Sequence, residues 1–340
     1  MFEILETEPK MNVVYSFIGS LPAYAIDTVH QLRYFYTGPV YFILDDLSSD
    51  AKTILEKKYN VTIVPYTDVK SKEFDDIAAS CASRFGIVYG LKGRELLFLR
   101  ALERFFLLEK LMILKNLKNV LFVELDNLLY DDPSNWLTHL CKSNAAYMID
   151  NYDRCSSGVC FFKDTDILHK LNLYFLKFIQ TSNKLLSEMP ALYEFWQASG
   201  ADAAKDIQIL PTLWPSATDA ERIPSAAYAK YDLYNESIFD AAALGIYLGG
   251  IDLIHSNNVL KKGVISTASA INCSNYRFQW HTDSEGRKIP HIYDKESDKW
   301  IKINNLHIHS KHLIDCLSKP FQNLILSENS FKLCCKLGLC

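Results

Sequence analysis

Short runs rich in β-branched and aromatic residues recur between helix-like segments through the first two-thirds of the chain. This alternation limits the possible folds more than any other feature. The strand-like runs are residues 12–18, 39–44, 61–65, 119–124, 145–149, 158–162 and 207–210. Between them, residues 23–36, 48–58 (opened by Ser48 as a cap) and 95–115 carry helical patterning. Such an order predicts an α/β fold, a parallel or mixed sheet wrapped in helices. In such sheets ligands bind beyond the carboxyl ends of the strands. The polar residues to read are therefore those that follow strands: Gly19 to Tyr24, Asp45-Asp46, Glu124 to Asp126 and Ser156-Ser157. Residues 215–305 are less regular, with frequent turn residues and one expected helix over 232–250. No internal boundary is marked, so residues 1–319 are expected to form one domain and 320–340 an appended tail.

Composition narrows the class. Of 340 residues 49% are hydrophobic, enough for a large core, and a net charge of −4 without a basic stripe argues against nucleic-acid binding. The nine cysteines are scattered, with no CxxC and no Cys/His ladder, which predicts free thiols in a reducing compartment rather than structural zinc. The longest apolar stretch, residues 96–114, is broken by Arg100, Glu103, Arg104, Glu109 and Lys110, so no transmembrane segment is expected. Residues 1–10 are acidic and lack the apolar core of a signal peptide, and the expectation is a cytoplasmic protein.

The strongest local signal is Val120-Leu-Phe-Val-Glu124-Leu-Asp126-Asn127, an apolar strand running into two acids. Alternation along an extended chain would put both carboxylates on one side, facing the crevice. Hard oxygen donors of this kind suit Mn²⁺ or Mg²⁺ held together with substrate phosphates. The plain alternative is that the acids solvate a strand end. A second signal lies far along the chain, in Asn305-Leu306-His307-Ile308-His309-Ser310-Lys311. An imidazole can complete a metal shell and an ammonium can neutralise phosphate. The alternative is a surface loop with incidental histidines. Taken together, Asp126 with His307 or His309 would hold a metal on a diphosphate, and Lys311 would stabilise the departing charge.

The order of these parts resembles a GT-A glycosyltransferase, nearest in motif order to the glycogenin- and galactosyltransferase-like families. Ser16-Phe-Ile-Gly19-Ser-Leu-Pro22-Ala-Tyr24 is similar to the family's opening strand and nucleotide-facing turn. Glu124-Leu-Asp126 stands at its DxD motif, with Glu in place of the first Asp. Cys155-Ser-Ser157-Gly158-Val-Cys-Phe-Phe162 resembles its segment past the donor sugar, and His307, His309 and Lys311 its closing His and Lys. The family's Gly and Pro-Trp around that Lys are missing, so which His is the ligand stays open.

The resemblance implies sugar transfer from a nucleotide-diphosphate sugar, a UDP-sugar foremost, to a glycan or glycoprotein hydroxyl. It also implies that a basic residue on the helix before the DxD strand, Arg100 or Arg104, reaches the nucleotide; each could instead pair with an acid such as Glu103. Asp45 is a candidate for ribose or base, or a turn cap. Glu188 matches the position of an acid in related transferases, and Asp240, among small residues, is a second candidate base; their alternatives are a first-turn helix acid and an ordinary packed helix. Two other functions share these features: a nucleotide-sugar-forming nucleotidyltransferase, which should carry a basic glycine-rich loop absent from Gly19-Ser-Leu-Pro22, and an inactive glycan-binding scaffold.

Overall fold

In a computed structural model, residues 10–47, 50–81, 96–183, 186–199, 206–252 and 259–319 are described. The capping Ser48 and the 320–340 tail lie outside these residues. The chain begins β1 (Asn12–Phe17), α1 (Tyr24–Arg33), β2 (Val40–Leu44), α2 (Asp50–Tyr59) and β3 (Val61–Pro65). After the long α3 (Leu97–Lys115) come β4 (Val120–Val123), β5 (Asn127–Leu129), β6 (Ala145–Ile149), β7 (Cys155–Phe162), α4 (Thr165–Thr181), α5 (Glu188–Ala198) and β8 (Ile207–Leu210). Local signals set several boundaries. Asn116 in the left-handed region, with φ 49°, ends α3. Asp164 and Ser187 cap α4 and α5 by accepting from the amides of Asp166 and Met189.

The principal sheet has seven strands in the order β3-β2-β1-β4-β7-β6-β8. All neighbours are parallel except around β7, which runs against both β4 and β6. This mixed α/β sheet flanked by helices is the architecture that the alternation predicts. Its central strands are buried on both faces, and alternate residues along the sheet feed two separate cores. Val14, Ile43, Val64, Val120 and Phe122 pack with Phe105, Leu108 and Phe175 of α3 and α4. Val13, Tyr15, Phe42, Leu44 and Leu121 pack with Val29, Leu32 and Leu55 of α1 and α2. Each fully buried aromatic or aliphatic side chain contributes about 1.5–3 kcal/mol.

The reversal at β7 shapes one edge of the crevice. Register pairs Val123 at the carboxyl end of β4 with Val159, midway along β7, so the first half of β7 extends past the end of β4. The beginning of an antiparallel strand thus meets the end of a parallel one, so Ser157 and Gly158 share the crevice edge with Glu124.

The later third differs from expectation. Instead of one helix over 232–250, there is a 3-10 turn at Tyr231–Tyr234, a short β9 (Ser237–Ile238), and only then α6 (Ala243–Gly249). Asn235 and Glu236 both adopt positive φ, which a helix cannot continue through. Beyond lie β10 (Phe278–Thr282), β11 (Lys288–Asp294), β12 (Lys299–Ile303) and β13 (Asn305–His307). The first three form a second sheet in the order β10-β11-β12-β9, which the irregular reading of 215–305 misses. Finally, β13 pairs antiparallel with β5, placing His307 opposite Asn127. No described helix is long and apolar enough to cross a membrane.

Candidate metal and diphosphate site

The strand β4 stops at Val123, so Glu124 and Asp126 do not share a face by strand alternation as the sequence suggests. They sit in a turn closed by Asn127 N–H donating to the Glu124 carbonyl at 2.9 Å. The turn is held from three sides. The Glu124 amide donates to the Gly158 carbonyl at 2.9 Å and the Ile308 amide to the Asp126 carbonyl at 2.8 Å. From α1, the Thr28 hydroxyl donates to the Leu125 carbonyl. The β5–β13 pairing then lays His307 over the turn, some 180 residues away in sequence.

The side chains converge. His307 Nε2 lies 3.1 Å from Glu124 Oε2 and 3.3 Å from Asp126 Oδ1. Lys311 Nζ bonds Asp126 Oδ2. Arg104 Nη2 contacts Glu124 Oε1 at 2.5 Å, Glu188 Oε1 at 2.9 Å and Ser157 Oγ at 2.6 Å. The Ser157 hydroxyl lies within hydrogen-bond reach of both acids, 2.7 Å from Glu124 and 3.1 Å from Glu188. Among the described residues Glu124, Asp126 and His307 form a group whose ligand atoms all lie within 4.8 Å of one another.

The environment polarises every member. Burial pushes the Glu124 carboxyl up, but Arg104 and then His307 outweigh it and hold it down at about 2. Burial likewise opposes ionisation of Asp126, and Lys311 followed by His307 brings it well below the usual carboxylate range. Burial would discharge His307, yet Asp126 and Glu124 raise it well above the ordinary imidazole value. His309, its ring centroid 4.5 Å from that of His307, goes the other way. Burial, His307 and Lys311 hold it down to about 3, so it is a neutral imidazole, and its Nε2 is buried without a hydrogen-bond partner.

These residues fit a hard divalent cation. The His307 Nδ1 faces the Ala241 carbonyl at 3.3 Å, an arrangement that leaves Nε2 toward the carboxylates, as outer-shell partners of metal-binding histidines do. The backbone carrying the ring is fixed by Asp240. That buried carboxylate accepts the amides of Leu244 at 2.9 Å, Gly245 at 2.7 Å and His307 at 2.9 Å. Burial, only partly offset by the His307 amide, pushes it up to about 6. Both its oxygens are thus committed to backbone, which makes Asp240 a positioning residue for β13 rather than a base facing an acceptor.

The other expected residues fall into two groups. Gly19, with φ 106°, turns the chain at the end of β1, a conformation that side chains rarely adopt. Tyr24 opens α1 beside the cluster. Burial raises its phenol to about 12, with Lys311 opposing and Asp126 and Glu124 adding. Asp45 is exposed at the carboxyl end of β2. Arg100 is not brought to the cluster: it pairs with the buried Glu103, which also accepts from the Tyr66 hydroxyl at 2.6 Å. One helical turn separates its fate from that of Arg104.

Sequence reasoning overlooks several supports. Thr28 ties α1 to the acid turn. Asn305 joins β13 to β5 by donating to Asn127 Oδ1 at 2.8 Å. Gly245 carries no Cβ because that atom would stand 2.1 Å from the His307 carbonyl oxygen. Asp150, paired with Arg154 at the end of β6, is raised by burial and lowered in part by Arg154 and His307. Only its strand-end position could have marked it in advance.

No family model and no curated protein sequence matches the chain. Among solved structures, mouse xyloside xylosyltransferase 1 in its apo form is similar over 66% of this chain and 92% of its own, at 9% identity and TM-score 0.40. The galactosyltransferase LgtC, in complex with donor and acceptor sugar analogues, is similar over 66% of this chain and 82% of its own, at 12% identity and TM-score 0.39. The bifunctional glycosyltransferase WbbM in its apo form is similar over 68% of this chain and 45% of its own, at 12% identity and TM-score 0.40.

Proposed function

We propose that the chain is a metal-dependent glycosyltransferase of the GT-A type, moving a sugar from a nucleotide-diphosphate sugar to a hydroxyl of a glycan or glycoprotein. The observation that carries this reading is the convergence of Glu124, Asp126 and His307 from two distant segments, with Lys311 beside them at the sheet's carboxyl edge. Asp126 and His307 would hold Mn²⁺ or Mg²⁺, with Glu124 and the neutral His309 as further donors. When bound, the ion supplies charge neutralisation for a diphosphate leaving group.

The chain's own groups do the rest. Lys311 places an ammonium where phosphate charge develops. Gly19 and Tyr24 border the crevice on the nucleotide side, with Asp45 at the next strand end. Arg104 holds Glu124 and Glu188 in place through its ion pairs, while Ser157 and Gly158 line the edge along which the sugar would lie. Glu188 remains the candidate to face the acceptor hydroxyl. A UDP-sugar is the foremost donor. The six described cysteines are free thiols, which supports a cytoplasmic setting.

The test is hydrolysis and transfer with a panel of nucleotide-sugars, with and without Mn²⁺, for wild type and Asp126→Asn. Mn²⁺-dependent turnover that falls at least about 100-fold in the variant is expected for loss of a charged ligand. Selective nucleotide-sugar binding without any turnover would point to a glycan-binding scaffold instead. Turnover unchanged in Asp126→Asn would refute the reading.

A further inference from the structure

We infer that Lys311 is a resident counter-cation of the metal site, so that a nucleoside diphosphate and a divalent metal each admit the other by drawing this one side chain away from Asp126. The inference rests on the metal site proposed above. Three carboxylates meet there, Glu124, Asp126 and Glu188, and two side-chain cations already contact them: Arg104 on Glu124 and Glu188, and Lys311 on Asp126. A divalent ion adds two positive charges beside these cations, and like charges at close range in a partly buried site repel strongly. One of these two side chains must therefore give way.

The geometry says which one. Arg104 is 15% exposed and grips Glu124, Glu188 and Ser157 together, so its withdrawal would strand two acids. Lys311 has one carboxylate partner and a side chain 40% exposed. Its backbone cannot follow the side chain. The Lys311 amide donates to the Ile308 carbonyl at 3.0 Å. Just before it, Ser310 is tied twice, its amide to the Gly250 carbonyl at 3.0 Å and its hydroxyl to the Gly249 carbonyl at 2.7 Å. Lys311 itself holds φ 62°, a conformation over-determined by these ties. What remains free is a flexible four-carbon stem with a compact charge, able to exchange a carboxylate for a phosphate oxygen. Freeing Asp126 Oδ2 opens a metal position, and the metal in turn favours the diphosphate. By linkage the two ligands must then strengthen one another by the same factor.

The experiment is Mn²⁺ titration by calorimetry and by the electron paramagnetic resonance of free Mn²⁺, with and without saturating uridine diphosphate. It compares wild type, Lys311→Met, Lys311→Gly and Asp126→Asn. Lys311→Gly suits the positive φ and guards against misfolding of the first variant. Wild type should bind Mn²⁺ at least about 10-fold more tightly with the nucleotide than without it. Both Lys311 variants should bind Mn²⁺ alone about 10-fold more tightly than wild type, and the enhancement by nucleotide should shrink correspondingly. Mn²⁺ affinities in the absence of nucleotide that are equal to, or weaker than, wild type in both Lys311 variants would overturn the inference while leaving the metal site standing. Identical titrations of wild type and Asp126→Asn under both conditions would remove the metal site itself, and the inference with it.

Discussion

Gly245→Ala adds one methyl group at the contact between α6 and β13. The added Cβ would stand 2.1 Å from the His307 carbonyl oxygen, 2.4 Å from its carbonyl carbon and 2.7 Å from its nitrogen. These are backbone atoms, so no rotamer change relieves the clash. To regain an ordinary contact near 3.4 Å, helix and strand must part by about 1.3 Å. His307 is pinned on its other side by the β5 pairing and by Asp240, so the strain is shared between those hydrogen bonds and the ring. Overpacking of this kind costs about 1–3 kcal/mol, while alanine in place of glycine in a helix returns up to about 1 kcal/mol. The net loss, up to about 2 kcal/mol, should lower Tm by up to about 3 °C for a chain of this size, from an unfolding entropy of about 2.1 cal/mol/K per residue. The larger effect falls on the site. Metal–ligand distances tolerate only about ±0.2 Å, so a shift of this size in His307 should weaken Mn²⁺ binding about 10-fold or more. Thermal unfolding and Mn²⁺ titration measure the two effects. Gly286→Ala serves as the control: it lies in a turn at φ 73° with no atom near its added Cβ, and should lower Tm without changing Mn²⁺ affinity. Wild-type Tm and wild-type metal affinity in Gly245→Ala would refute both the close approach and the role given to His307.

Two more outcomes are expected from buried charges. Arg104→Met removes the cation shared by Glu124 and Glu188 and should destabilise by about 3–5 kcal/mol in urea unfolding, because the buried Glu188 and the half-buried Glu124 lose the cation that they share; a loss below about 1 kcal/mol would mean that the acids are solvated. Asp27, on α1, is raised by burial from the ordinary 3.8 to about 7. Its protonated form is favoured in the folded state, so its contribution is fully present below about pH 4 and is lost as pH rises through about 7. Asp27→Asn should therefore gain on wild type by up to about 4 kcal/mol at about pH 8 and converge with it at about pH 4, as read from Tm against pH; a gain independent of pH would refute the assignment.

What the sequence by itself determined is the alternation that builds the sheet. The apolar runs ending at Leu44, Val123, Ile149 and Leu210 become buried strands because only burial on both faces satisfies such continuous hydrophobicity. The acids after β4, the Ser157-Gly158 pair and the His307–Lys311 segment were legible as candidate site residues, being polar groups in or beside apolar strand ends. Which of them meet was not legible. Nothing local distinguishes Arg104 from Arg100, four residues apart on one helix; the crevice receives one and Glu103 takes the other. Asp240 reads as a candidate base until the fold commits its oxygens to three backbone amides. The helix expected over 232–250 fails because Asn235 and Glu236 take positive φ and Ser237 and Ile238 pair with β12, so helix forms only from Ala243 onward. His307 reaches Glu124 and Asp126 only because β13 closes on β5, a contact across about 180 residues that no local pattern encodes. Strand and helix formation are decided within a few residues by side-chain periodicity, whereas the partners of a buried charge are decided by whichever segments the sheet brings to its edge.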